Sequence, residues 1–394
     1  MEFLPHDVIE YHILERLDVE TLLRFKSVSK QWNSTIQSPN FKKRQLIYHR
    51  RQSRQDPYVL LVSVHDGSAH NSVYEALRTL PVDSSSSSSV SAQIPTCWEN
   101  KLYQVCNTSC DGLICLYDFD DMPSIVVNPA TRWHRTFPPC NYQLVAAERS
   151  KRYAEKIKRG EEDDDAYNYP IPSPGFGKDK INGTYKSVWL YNSAKLGVNN
   201  NTSTCEVFDF ATNSWRYLVP ASPCLILHTQ APVYLDGSLY WFTASSDDGE
   251  YSNDGETMVL SLDLHTETFQ IIAKAPFLHA SDLKINMSNL NDRLCVSEEK
   301  GLNQVIWSFD SHHKTWNQIY SIDLTIAFSL CGRPMLALVP LAVLDKDKLL
   351  FYSREFGDAF VTHDPITKSY VLAAQTPNRD AYAVYYFPSL ISIL

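Results

Sequence analysis

Glycine is scarce in this 394-residue chain, with 13 residues against 21 prolines. Few positions can therefore reach the left-handed backbone region freely, which argues against a β repeat built on paired glycines. The nine cysteines include no Cys-x-x-Cys pair, the close spacing that zinc sites normally show. Cys106, Cys110 and Cys115 cluster, but at spacings that do not suit a zinc knuckle, and the set reads as buried reduced thiols. No run of about 18 apolar residues occurs, so no membrane span is expected. An acid at Glu2 with no apolar stretch behind it gives no expectation of a secretory leader. The formal charge of −9 disfavours general nucleic-acid binding, which depends on neutralising phosphates. Catalytic signatures are missing too: there is no Gly-x-Ser-x-Gly and no Walker loop. Gly175-Phe176-Gly177 lacks the third glycine of a dinucleotide loop, and His312-His313 reads as an exposed turn pair. No catalytic residue, cofactor or metal ligand is assigned. What remains is ordinary globular material, 44% hydrophobic and 21% charged, in a chain long enough for two or three domains.

The charge is uneven. Residues 1–54 carry +4, so the remaining 340 carry −13. The head also has a helical texture. Ile9, Ile13 and Leu17 recur every four residues beside Val8 and Leu14, and Pro5 can occupy a first helical turn. Asp18 is a candidate N-cap for a second helix holding Val19, Leu22, Leu23 and Phe25. Ser27 or Ser29 can open a third with Trp32 and Ile36, and Ser38-Pro39 a fourth through Phe41 and Leu46. Four short helices carry more apolar surface than so small a unit can bury, so a partner is expected to cover part of it. Lys42, Lys43, Arg44, Arg50, Arg51 and Arg54 form a basic stretch that reads as a solvated helix face.

These residues resemble an F-box. Leu4-Pro5-x-Asp7-Val8, Ile13-Leu14-x-Arg16-Leu17 and Leu22-Leu23-Arg24-Phe25-Lys26-x-Val28-Ser29-Lys30-x-Trp32, followed by Ile36 and Phe41, follow that pattern in order. Asp18 stands where the family usually has proline and Ser29 where cysteine is common; both suit a helix start. The resemblance implies docking onto the Skp-type adaptor of a cullin-RING ubiquitin ligase. The apolar face expected to do this comprises Leu4, Pro5, Val8, Ile9, Ile13, Leu14, Leu17, Val19 and Leu22, with Trp32 as internal core.

From about residue 57 the texture changes to short β runs bounded by turn residues. Examples are 58–62, 113–117, 124–127 and 233–235. A repeat runs through them. Asp209, Asp263, Asp310 and Asp364 each stand six residues before an aromatic: Trp215, Phe269, Trp316 and Tyr370. Asn128 and Trp133 form the same unit one residue shorter. The aromatics lie 82, 54, 47 and 54 residues apart, a spacing near that of a four-stranded propeller blade. The acid should cap a tight turn through backbone N–H groups, helped by Thr131, Thr212, Thr266, Thr315 and Thr367, and the aromatic should pack between blades. A sixth unit is expected from residues 57–115. The serine run 84–89 reads as a hairpin loop, and the opposed charges of 148–169 as a solvated loop or short charged helix.

This region resembles the plant F-box-associated domain, which is kelch-like in architecture. The resemblance rests on Cys110-Asp111-Gly112-Leu113-Ile114-Cys115, Asn128-Pro129-Ala130-Thr131-Arg132 and Phe137-Pro138-Pro139. It continues through Gly175-Phe176-Gly177-x-Asp179, Tyr185-Lys186-x-Val188, Leu235-Asp236-Gly237-Ser238-Leu239-Tyr240-Trp241, Ile306-Trp307-x-Phe309-Asp310 and Ser389-Leu390-Ile391-Ser392. Lys178 replaces the family's usual tyrosine, which reads as a peripheral change. The expected organisation is an all-α F-box over 1–48, a linker or the end of the last helix over 49–56 and an all-β, kelch-like propeller of six blades over 57–394. The propeller would carry a serine-rich loop at 79–95 and a charged insertion at 145–182. The resemblance implies a non-catalytic substrate receptor of an SCF ligase, acting in nucleus or cytoplasm on a protein target, without nucleic acid, membrane or cofactor. Two alternatives are an adaptor-bound scaffold and, more remotely, an oxidase-type propeller enzyme.

Overall fold

A computed structural model describes residues 12–52, 58–63, 77–81, 92–93, 104–117, 122–160, 172–193, 203–243, 256–277, 281–332, 337–344, 347–353, 359–375 and 381–393. The head holds helices α1 (Val19–Phe25), α2 (Lys30–Gln37) and α3 (Pro39–Gln52), preceded by a 3-10 turn at Leu14–Arg16. Its caps are those the sequence favours. The Asp18 carboxylate accepts the Thr21 N–H at 2.8 Å, and the Ser29 hydroxyl accepts the Trp32 N–H at 3.1 Å. Ser38 does the same for Phe41 at 3.2 Å, with Pro39 as the first helical residue. The first expected helix ends early, because Leu17 is extended (ψ 147°) and Ile13 and Leu17 do not share one α-helical face.

The expected strands at 113–117, 124–127 and 233–235 are present, as is one at 58–63. Among the described residues, 24 strands form four-stranded antiparallel sheets. Five sheets are each built from four consecutive strands: β4–β7 within residues 104–137, β8–β11 within 175–217, β12–β15 within 233–274, β16–β19 within 285–323 and β20–β23 within 339–375. These five carry the five Asp/Asn–aromatic signatures. One further sheet joins both ends of the domain, in the order β24 (Ala381–Tyr386), β1 (Tyr58–Ser63), β2 (Leu77–Pro81), β3 (Ala92–Gln93). Tyr58 of β1 pairs with Tyr386 of β24. The sixth unit expected from residues 57–115 does not form from those residues alone. Residues 104–117 belong to the first signature sheet, and β1 pairs with the C-terminal strand instead, which removes two free sheet edges at once. The innermost strands β24, β4, β8, β12, β16 and β20 touch in that order and return to β24. The all-β body is thus a closed propeller behind a small helical head.

The repeat works as its chemistry suggests. Asp263 Oδ1 accepts the N–H groups of His265 and Thr266 at 2.8 and 2.7 Å. Asp310, Asp364 and Asn128 each accept the same pair of N–H groups, and Asp209 accepts that of Ala211 at 2.8 Å. The aromatic reaches back to the preceding sheet. Trp215 Nε1 donates to Pro138 O at 2.8 Å, Trp316 Nε1 to Lys274 O at 2.7 Å, and the Tyr370 hydroxyl to Asp323 O. Each acceptor lies at or just beyond the end of the preceding outermost strand (Trp133–Phe137, Phe269–Lys274 and Thr315–Asp323). One signature residue therefore closes its own turn and the other ties neighbouring sheets.

The charged insertion is placed differently from the expectation. Helix α4 (Asn141–Lys158) begins before residue 145, and β8 (Gly175–Lys178) is an innermost strand. Glu206 anchors α4 by accepting the N–H groups of Asn141 and Tyr142, both at 2.9 Å, and burial holds its carboxyl above the ordinary value. Residues 161–171 and the serine run 84–89 lie outside the described residues.

Candidate functional site

The residues expected to form the adaptor face separate into three groups. Leu4, Pro5, Val8 and Ile9 lie outside the described residues. Ile13 is 40% exposed and Leu17 half-buried. Leu14, Val19 and Leu22 are buried (1%, 4% and 0% exposed) in the head's own core, with Ile36 and Phe41. Their apolar surface is already covered by this chain, whereas that of Ile13 is open. Trp32 is half-buried on the edge of this core, its ring 5.1 Å from that of Phe25. Val28 and Ile47 are further exposed apolar residues on the head that periodicity did not single out.

The head's core is completed from the far end of the sequence. Leu390 is buried in it, and Ala130, from the turn between β6 (Ser124–Asn128) and β7 (Trp133–Phe137), packs against it. The C-terminal segment 387–393 runs between the two domains with the alternation of an extended chain. Leu390 and Ser392 face the head, the latter accepting a hydrogen bond from Lys42 Nζ at 3.1 Å. Ile391 and Ile393 face the other way and pack on a propeller core containing Phe137, Trp189 and Phe208. Asn128 holds the segment by donating to Ser389 O (2.9 Å) and Ile391 O (2.8 Å).

A second tie is ionic. Asp111, in the tight turn between β4 (Gln104–Cys110) and β5 (Leu113–Tyr117), is 3.0 Å from Arg50 at the end of α3. The same carboxylate accepts from Lys178 Nζ at 2.7 Å and from the Tyr185 hydroxyl at 2.8 Å. Burial pushes the Asp111 pKa up, but Lys178 and Arg50 outweigh it and hold the carboxyl below its ordinary value. Lys178 is therefore not peripheral, as its departure from the family residue had suggested. It joins β8 to the turn that meets the head, and its carbonyl accepts from the Tyr234 hydroxyl at 3.1 Å.

The two ends of the propeller differ. The end facing the head carries tight turns: Asp111-Gly112, Asp236-Gly237, Asn291-Asp292 and the five signature turns. Antiparallel pairing places the connections between second and third strands, and those from one sheet to the next, at the opposite end. These include 138–174 with α4, 192–203, 218–232, 243–257 and 324–338 with α5 (Thr325–Cys331). The head thus lies at the end of the signature turns, away from the strand ends that these connections join. Among the described residues, no group of three or more His, Cys, Asp or Glu side chains is arranged to hold a metal ion. No described helix is long and apolar enough to cross a membrane.

Comparison with known proteins agrees with this division. Residues 3–44 match the F-box domain and residues 69–393 the F-box associated beta propeller domain. The chain is 65% identical to F-box protein At5g10340 of Arabidopsis thaliana, over all of this chain and 85% of the relative. It is 52% identical to F-box protein At2g34280, over the whole of both chains. It is 49% identical to F-box/LRR-repeat/kelch-repeat protein At1g09650, over all of this chain and 97% of the relative, both from the same plant. The chain belongs to the family of F-box proteins that carry an F-box associated β-propeller domain.

Proposed function

We propose that this protein is the substrate-recognition subunit of an SCF-type ubiquitin ligase, non-catalytic in itself and acting in nucleus or cytoplasm. The head would bind the Skp-type adaptor, and through it the cullin and RING subunits. The propeller would bind a protein target through the long connections at the end away from the head. What supports this reading is the pairing of an F-box with an F-box associated propeller in one chain, joined by direct contacts between head and propeller. A receptor of this kind works by proximity, raising the effective concentration of a target lysine near the charged conjugating enzyme. Two anchor points between head and propeller, Leu390 and the Arg50–Asp111 pair, would keep that geometry from averaging out.

On the head, the docking face would be Ile13 and Leu17 together with Leu4, Pro5, Val8 and Ile9. Leu14, Val19 and Leu22 would support it from beneath. Each aliphatic side chain buried in such a complex contributes roughly 1.5–3 kcal/mol. Capture of a recombinant Skp-type adaptor by the full chain is expected, and Ile13→Asp with Leu17→Asp should abolish it. Because Leu17 also packs against the head's core, Ile13→Asp alone, at an open position, should weaken capture with the helical circular dichroism unchanged. Undiminished capture by that double variant would overturn the face. Targets that accumulate when cullin neddylation is blocked mark degradation; targets that bind and do not accumulate mark the scaffold reading.

A further inference from the structure

A cavity of about 370 Å³ lies at the short-turn end of the propeller, where α3 of the head covers the central channel. Its wall comes from five innermost strands: β4, β12 (Val233–Leu235), β16 (Ile285–Asn289), β20 (Val339–Val343) and β24. Leu46 and Arg50 of α3 form its roof. The volume falls in the range of small-ligand sites, about 300–1,000 Å³.

The chemistry of the wall selects among ligands. Asn107, Thr108, Ser288, Asn289 and Asn291 present amides and hydroxyls, and Tyr234, Tyr352 and Tyr385 present aromatic surface. The pairing of β4 with β5 is broken between Val105 and Ser109, so this part of β4 is not held in a regular ladder. Thr108 is 9% exposed, and its hydroxyl has no hydrogen-bond partner among the described residues. The hydroxyl is sealed from the cavity in this structure. A buried polar group left in that state costs about 1–3 kcal/mol, which a ligand hydroxyl would recover once the irregular stretch of β4 turned it inward. The charged members of the wall are Arg50, Asp111 and Asp292. Arg50 is held by Asp111, so an anion finds no uncommitted cation among these lining residues. The amides and hydroxyls outnumber the one remaining carboxylate, and they favour a neutral partner.

We propose that this cavity binds a small, uncharged, hydroxyl-rich molecule of monosaccharide or polyol size. Because head and propeller both line the cavity, the molecule would bridge them and stiffen the joint on which the receptor geometry depends. The site does not require that the protein be a ubiquitin-ligase subunit.

The test uses the full chain, in complex with its adaptor where that is needed for solubility. Isothermal titration and thermal unfolding are measured with glucose and with myo-inositol, and in parallel with inorganic phosphate and with spermidine. A saturable heat and a rising unfolding midpoint are expected with at least one neutral probe and with neither charged one. Thr108→Val, nearly isosteric, should weaken that binding at least tenfold and leave the unliganded midpoint within a degree or two. If Thr108→Val does not fold, Asn291→Gly on the exposed turn, where φ is already +52°, should weaken it instead. The proposal is overturned if neither neutral probe saturates, if only phosphate or spermidine does, or if folded variants bind as wild type does. Adaptor capture is scored separately, so failure here leaves the proposed function standing.

Discussion

Gly112 lies against Ser389 with no room between them. A Cβ on Gly112 would meet the Ser389 hydroxyl at 2.6 Å and the Phe387 carbonyl at 2.5 Å. The residue also has φ +79°, a conformation that side chains resist. Ser389 in turn donates to Asp111 O at 2.6 Å, so the turn and the C-terminal segment are built on each other. Gly112→Ala should destabilise the protein by about 2–4 kcal/mol, from left-handed strain and overpacking together. Urea unfolding measures this, and limited proteolysis should show the C-terminal segment cleaved earlier than in wild type.

Leu390 supplies a propeller-side residue to the head's core and is 2% exposed. Leu390→Ala should cost about 2–5 kcal/mol if the head melts with the propeller. Should the head instead come loose by itself, the loss appears as a separate low-temperature transition in calorimetry. Ile366→Ala is the control, since Ile366 is 80% exposed and its loss should fall within about 0.5 kcal/mol of zero.

The local units of this fold were legible in the sequence because each depends on neighbours within six residues. The Asp/Asn turns and the caps at Asp18, Ser29 and Ser38 are of this kind. Long-range closure was not legible. Nothing near Tyr58 announces Tyr386 as its partner, and nothing near Leu14 announces Leu390. The same gap explains the candidate docking face. An apolar stripe looks alike whether its own chain or another covers it, so Leu14, Val19 and Leu22 could not be told from Ile13. Lys178 looks peripheral in sequence because its partner Asp111 is 67 residues away.

The scarcity of glycine leaves a measurable signature. Arg132, Asn213, Glu267, Lys314 and Lys368 all have φ between 52° and 59°, and each stands one or two residues before its signature aromatic. Non-glycine residues thus hold the left-handed position in all five outer turns. For residues other than Asn and Asp that position costs roughly 1–2 kcal/mol, partly offset by glycine's greater freedom when unfolded. Lys314→Gly and Lys368→Gly should each stabilise the protein by about 0.5–1 kcal/mol, and the pair should add because the turns lie in different sheets. Lys314→Val should go the other way. Thermal unfolding of these four variants beside the wild type tests this, and a fall in midpoint for either glycine variant would contradict it.

Acid should act on the joint through Asp111. Its folded pKa is depressed, so its pairing with Lys178 and Arg50 contributes stability that is present above the unfolded value of about 4. That contribution is lost as pH falls through the folded pKa, and neutralisation leaves Lys178 and Arg50 facing each other without their shared anion. Wild type should therefore lose stability below about pH 4 more steeply than Asp111→Asn, whose amide does not titrate. At neutral pH the variant should be the weaker of the two, and the difference should shrink as pH is lowered. Urea midpoints between pH 7 and pH 3 give both curves. A difference that stays constant across the range would show that the joint depends on the shape of the Asp111 turn and not on its charge.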